Sequence, residues 1–152
     1  MNSVHTQTIT PFLWFDGRVE EAIDFYMSIF PDAKKLSVMP GPNGTVMGAN
    51  FELNGQRFMA LNGGPQYKFT PAISFYINCE TQQEVDQLWE KLSAGGRTDR
   101  CGWLQDKFGL SWQIVPSALP RLLQDKDPGK RTRVLNAMMK MTKLDIAGLE
   151  QA

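Results

Sequence analysis

Few side chains in this sequence could perform chemistry, and none of them is grouped with the others. The thiols are Cys79 and Cys101, and the single imidazole is His5 in the polar stretch 1–8. Cys101, Tyr76 and Asp106 could serve a metal-free acid–base reaction, with Cys101 the better placed thiol. Free cysteines, however, usually behave as small buried hydrophobes. No close Cys/His pairing of zinc-ribbon type occurs. No strand is followed by a glycine-rich turn and a helix of the kind that cradles a nucleotide. Asn62-Gly63-Gly64-Pro65 precedes a linker, and Ala94-Gly95-Gly96 follows a helix.

The sharper signal is an amide inside an apolar strand. Along Leu110 to Val115, period-2 alternation sends Leu110, Trp112 and Ile114 to one face and Ser111, Gln113 and Val115 to the other. The first face has core character. The second, with a hydroxyl and an amide among apolar neighbours, has the character of a cavity floor. A buried amide must find partners, and a ligand is one way to supply them.

The elements that hold this strand follow from spacing. Ile9 to Phe15 is an apolar run with Pro11 near its start, as a strand tolerates. Val19 to Phe30 carries a helical apolar stripe ended by Pro31. Lys35 to Met39, Thr45 to Leu53 and Gln56 to Asn62 are strands, the last two joined by Asn54-Gly55, a type I′ hairpin signal. Residues 9–64 therefore predict β-α-β-β-β. The order repeats in 72–116: a strand over Ala72 to Asn78, a helix over Thr81 to Leu92 with a Thr81/Glu84 capping box, and strands over Thr98 to Leu104 and Leu110 to Val115. The units overlay through their helices, Glu21, Ala22, Asp24, Phe25 and Tyr26 against Glu84, Val85, Gln87, Leu88 and Trp89. Phe12 and Trp14 then fall against Phe75 and Ile77, as an internal repeat would place them. Residues 117–152 form a helical extension over Ala118 to Leu123, Lys130 to Met141 and Leu144 to Glu150. Its Met-rich apolar surface must pack on the domain or on a partner chain, so a homodimer is expected. Residues 1–8 are expected to be a disordered tail.

The totals exclude several classes. Lys plus Arg and Asp plus Glu number 16 each, so net charge supplies no case for nucleic acid. The basic stretch Arg121 to Lys143 reads as a solvated helix face or, less economically, an interaction surface. No apolar window is long enough to span a bilayer, and no secretory leader is evident. A cytoplasmic protein with reduced thiols is expected.

The paired units resemble the vicinal oxygen chelate superfamily of glyoxalase I, extradiol dioxygenases and bleomycin and fosfomycin resistance proteins. Within it, Phe12 to Ala22, Phe25-Tyr26, Phe30-Pro31, Cys101 to Leu104, Phe108-Gly109, Trp112-Gln-Ile-Val-Pro116 and the tail Lys130 to Leu149 are similar to the PhnB-like branch. Members of that branch often carry the label 3-demethylubiquinone-9 3-methyltransferase. The resemblance implies an α+β fold of paired βαβββ modules, the glyoxalase/bleomycin-resistance fold, with extra C-terminal helices and a cavity shared by the two sheets. Metal-dependent members place ligands on the first and last strands of each module. The matching positions here are Pro11, Ser74 (or Ala72 with a small slip), Met59 and Gln113, and Gln113 alone offers a side-chain oxygen of use, a poor lone ligand for a transition metal. The expectation is a pocket without metal or other cofactor, lined by Leu13, Met59, Leu61, Ser74, Tyr76, Trp103, Ser111 and Gln113, that binds or sequesters a small molecule. The alternative is an enzyme of the superfamily type acting on an unknown substrate. Methyl transfer is not expected, for want of a cofactor motif.

Overall fold

A computed structural model of the chain describes residues 7–152, so His5 and most of the expected tail lie outside the described residues. The chain divides into two compact units, one ending at Lys68 and one running from Phe69 to Ala152.

The first unit runs β1 (Phe12–Phe15), α1 (Val19–Ile29), β2 (Ala33–Pro40), a short 3₁₀ turn at Pro42–Gly44, β3 (Val46–Leu53) and β4 (Gln56–Asn62). Its mixed sheet has the order β1-β4-β3-β2, with β1 parallel to β4 and the other pairs antiparallel. Helix α1 buries Val19, Ala22, Ile23 and Tyr26, one stripe at helical spacing. Beneath it lie Leu13, Phe15, Ala49, Phe51, Phe58 and Ala60, all buried. The register puts Phe12, Trp14, Met59, Leu61 and Asn50 on the opposite face. Asn54 and Gly55 both have positive φ, 48° and 86°, as the hairpin signal requires.

The second unit runs β5 (Ser74–Cys79), α2 (Gln82–Ser93), β6 (Arg97–Thr98), β7 (Trp103–Gln105), β8 (Ser111–Pro116), α3 (Ala118–Leu123), α4 (Pro128–Met139) and α5 (Ile146–Glu150). Its sheet order, β5-β8-β7-β6, repeats that of the first. Thr81 caps α2 by accepting from the Glu84 N–H at 3.2 Å, while Glu84 accepts from the Glu80 N–H at 3.0 Å.

Three sequence expectations need correction. The strand expected over Thr98 to Leu104 is two short strands around a tight turn. Cys101 and Gly102 both take positive φ, 60° and 83°, which reverses the chain. The overlay of the first strands slips by one residue. Phe12 and Trp14 stand on the face away from α1, whereas the exposed Tyr76 shows that Phe75 and Ile77 face α2. Three residues separate β1 from α1 and two separate β5 from α2, and one residue of difference inverts strand parity. Finally, the face of β8 carrying Ser111, Gln113 and Val115 is not open along its length. Val115 is buried with Leu119, Leu122, Val134, Leu144 and Leu149, so the C-terminal helices share a core with the sheet.

The end of the chain is fastened at two places. The Cys101 and Gly102 N–H groups donate to the Met141 and Thr142 carbonyls, both at 2.8 Å. Gln82 on α2 donates to the Leu144 carbonyl at 3.0 Å and accepts from the Ile146 N–H at 2.8 Å. Asp86 completes this clasp, accepting from Gln82 at 3.0 Å and pairing with Lys143 at 2.9 Å. The Gln82 hydrogen bond first, and Lys143 next, hold the Asp86 carboxyl below the usual carboxylate range. A carboxylate lowered on folding contributes stability above its unfolded value of about 3.9, lost as pH falls through the lower folded value. Residues 142–149 should therefore show faster amide exchange as pH drops through that window, after correction for intrinsic rates. The effect is modest because the pair is half exposed. Unchanged protection would show that the clasp does not depend on the charge.

Candidate functional site

The register of the second sheet brings five of the expected residues together. Ser74 lies beside Ser111, and Tyr76 beside Gln113, on β5 and β8. Trp103 lies beside Gln113 from β7. All five share the face away from α2. Gln113 Nε2 donates to Ser74 Oγ at 2.9 Å, which fixes both side chains. Tyr76 is 48% exposed, while Ser74, Trp103 and Gln113 are partly buried. Ser111 is 1% exposed, and its Oγ finds no hydrogen-bond partner among the described residues. A buried hydroxyl without a protein partner costs roughly 1–3 kcal/mol unless a water or a ligand completes its bonding.

The three residues expected from the first sheet divide. Met59 and Leu61 share the face with Phe12 and Trp14, whereas Leu13 is 6% exposed beside Ala60 in the core beneath α1. Leu13 therefore does not line the surface that carries Met59. The cause is the same parity: adjacent residues of a strand point to opposite faces. Trp14, absent from the expected lining, stands on that surface. Its Nε1 donates to the Gly64 carbonyl at 2.9 Å, and Tyr67 meets its ring edge-on at 5.1 Å. Alternation counted back from Met59 through the parallel pairing would have found it.

The acid–base candidates separate on their surroundings. Asp106 is 2% exposed, and its Oδ1 accepts from the Phe108 and Leu110 N–H groups at 2.9 and 3.1 Å while Oδ2 accepts from Trp112 Nε1 at 2.9 Å. Those bonds make it the organiser of the β7–β8 turn. Burial first, and the neighbouring Cys79 next, raise the Tyr76 phenol above its ordinary value, so it stays neutral at physiological pH. Burial also pushes the Cys79 thiol up to about 11, with Glu84 and Glu80 adding to it, which leaves it protonated and unreactive. Cys101 sits in the left-handed turn whose N–H groups hold the C-terminal segment. These groups do not converge on a common reacting centre.

The metal positions implied by the fold do not fit a transition metal. Ser74 and Gln113 are neutral and bonded to each other, Met59 offers a thioether, and the Pro11 carbonyl accepts the Met59 N–H at 2.9 Å. Among the described residues no three of His, Cys, Asp and Glu are grouped to hold an ion. Nor do the strand–helix turns fit a nucleotide-like cofactor. The β1–α1 turn has one glycine, Gly17, and the β5–α2 turn has none. A groove of about 720 Å³ does lie at the start of α1, between Arg18, Glu21, Thr45, Met47 and Asn62. Three of its polar groups are already paired: Arg18 with Glu21, and Asn62, which accepts from the Val19 N–H while donating to the Val46 carbonyl.

Comparison with known proteins gives the family and the fold. The sequence profile of the family described as 3-demethylubiquinone-9 3-methyltransferase matches residues 7–115. The chain belongs to this family. A Bacillus cereus PhnB protein carrying the same methyltransferase label is 38% identical, with a TM-score of 0.69 over 73% of this chain and 100% of that one. An uncharacterized protein of Mycobacterium bovis is 28% identical over 70% of this chain and 80% of its own length. The fosfomycin resistance protein FosX of Listeria monocytogenes, 14% identical, superposes with a TM-score of 0.59 over 80% of this chain and 100% of that one. That likeness shows the fold alone. This PhnB-like chain thus has the α+β glyoxalase/bleomycin-resistance fold of the vicinal oxygen chelate superfamily, with added C-terminal helices. Among its described residues no helix is long and apolar enough to cross a membrane.

Proposed function

We propose that this PhnB-like protein binds a small, partly apolar molecule on the face of the second sheet turned away from α2, without a transition metal held at the superfamily positions. The observation that carries this reading is the cluster of neutral polar side chains Ser74, Ser111 and Gln113, in which Gln113 lies between Tyr76 and Trp103 and the Ser111 hydroxyl is buried with no hydrogen-bond partner among the described residues. A few convergent polar groups in an aromatic wall fix orientation in small-molecule sites. Tyr76 and Trp103 stack a flat ligand, and the Ser111 hydroxyl meets it directly or through one bridging water. Binding rather than turnover is the reading preferred, since among the described residues Asp106 and Cys79 are tied up in the fold and the Tyr76 phenol is raised above its ordinary value.

Ser111→Ala separates this role from a structural one. Removing an unpartnered hydroxyl should leave the melting temperature unchanged or raise it, contrary to the usual cost of a core substitution. In a thermal-shift screen of wild-type protein, small aromatic and heterocyclic metabolites should stabilise, by mass action, more than divalent ions or S-adenosylmethionine do. Strong stabilisation by one divalent ion at micromolar concentration, or a marked loss of stability in Ser111→Ala, would overturn the proposal.

A further inference from the structure

A separate concave site, distinct from the groove at the start of α1, lies wholly within the first unit. A cavity of about 270 Å³ opens between Gln7, Thr10, Leu36, Asn50, Arg57 and Met59. Its size is just below the usual range of small-molecule sites, about 300–1,000 Å³, so it suits a small molecule or the end of a larger one.

Its construction is specific. The β2–β3 register skips Leu36, with Lys35 opposite Phe51 and Ser37 opposite Asn50, so Leu36 is a bulge residue. Bulges re-aim side chains, and this one brings Leu36 to the cavity. Asn50 Nδ2 donates to Ser37 Oγ at 2.9 Å, which fixes the amide. Asn50 Oδ1 is then left buried, with no hydrogen-bond partner among the described residues. Met59 lies directly opposite Asn50, and Arg57 two residues before it on the same face. That diagonal separates the side-chain origins by about 7–8 Å. The Arg57 guanidinium meets Glu52 through Nε at 3.5 Å, and Lys34 approaches the same carboxylate at 3.9 Å. Two cations around one carboxylate leave a positive charge at the rim.

We infer that this cavity is a binding site for a small hydroxy- or amino-carboxylate. The ligand's carboxylate meets Arg57, its hydroxyl or ammonium donates to Asn50 Oδ1, and its short carbon chain lies on Leu36 and Met59. A guanidinium favours a carboxylate on geometric grounds, and the amide oxygen accepts only from a donor. The site does not depend on the cluster of the second sheet.

Three probes dissect it by amide chemical-shift titration of the isotopically labelled full chain: lactate, propanoate, which lacks the hydroxyl, and propane-1,2-diol, which lacks the carboxylate. Lactate should perturb residues 50 and 57–59 and bind about tenfold more tightly than either of the others, the worth of one hydrogen bond. Arg57→Gln, at a partly exposed side chain, should preserve the fold and weaken lactate about tenfold without changing the diol. Asn50→Leu should bring lactate to the level of propanoate. Gln113→Leu should leave lactate binding intact, so this site can succeed or fail independently of the second-sheet proposal. Absence of shifts at these residues, equal affinity for lactate and propanoate, or an unaffected Arg57→Gln variant would each overturn the inference.

Discussion

Asp106→Ala should be the most damaging single substitution in the second unit, lowering the free energy of unfolding by roughly 4 kcal/mol. The carboxylate is 2% exposed and receives the Phe108 and Leu110 N–H groups and the Trp112 indole. Alanine leaves all three donors without that acceptor in a place water does not reach, each such bond to a charged group being worth about 1.5–3 kcal/mol. Domain stability is commonly about 5–15 kcal/mol, so little margin would remain. Asp106→Asn should be milder. One amide oxygen can still hold the turn, while the new NH₂ opposes the Trp112 donor, for a cost of about 2 kcal/mol. Urea unfolding followed by circular dichroism reads both variants. A loss below about 1 kcal/mol for alanine would show that the turn is held by other contacts.

Phe51→Ala is the corresponding test of the first unit. Phe51 is 1% exposed and lies between Tyr26 and Phe58, with ring centroids 6.4 and 5.2 Å away and both interplanar angles 15°. Truncating a buried phenylalanine costs about 3–5 kcal/mol through lost transfer energy and the cavity left behind. Loss of the ring removes the stacked contact that links Tyr26 of α1 to β3 and, through Phe58, to β4. Hydrogen exchange should rise across residues 12–62 in this variant and across 103–116 in Asp106→Ala. If Phe51→Ala instead left the exchange of α1 unchanged, the stacked rings would not be what joins the helix to its sheet.

How far the sequence disclosed these features depended on the kind of signal. Helix α1 was legible because its apolar positions recur at helical spacing and Pro31 follows it. The β3–β4 hairpin was legible because Asn54-Gly55 satisfies positive φ at both positions. Parity across the repeat was not, since a single residue of difference in the strand–helix turn inverts which face a side chain takes, and no composition signal reports it. Leu13 was misplaced and Trp14 missed for that one reason. The turn at Cys101 was hidden because cysteine seldom adopts positive φ. Asp106 was legible only as an ionisable candidate, because no sequence pattern reports that its two oxygens collect donors from three residues. The Asn50 cavity depends on a bulge at Leu36, which alternation alone cannot reveal.

The Ser74, Ser111 and Gln113 cluster is the centre of the functional account, and native mass spectrometry tests it most directly. Wild-type protein and Gln113→Leu would each be incubated with one small-molecule metabolite extract, desalted under non-denaturing conditions and weighed. The account predicts a discrete added mass on the wild-type chain, lost or strongly reduced when Gln113 is replaced, with circular dichroism spectra that superimpose. A wild-type spectrum with no added mass that Gln113→Leu loses would contradict it.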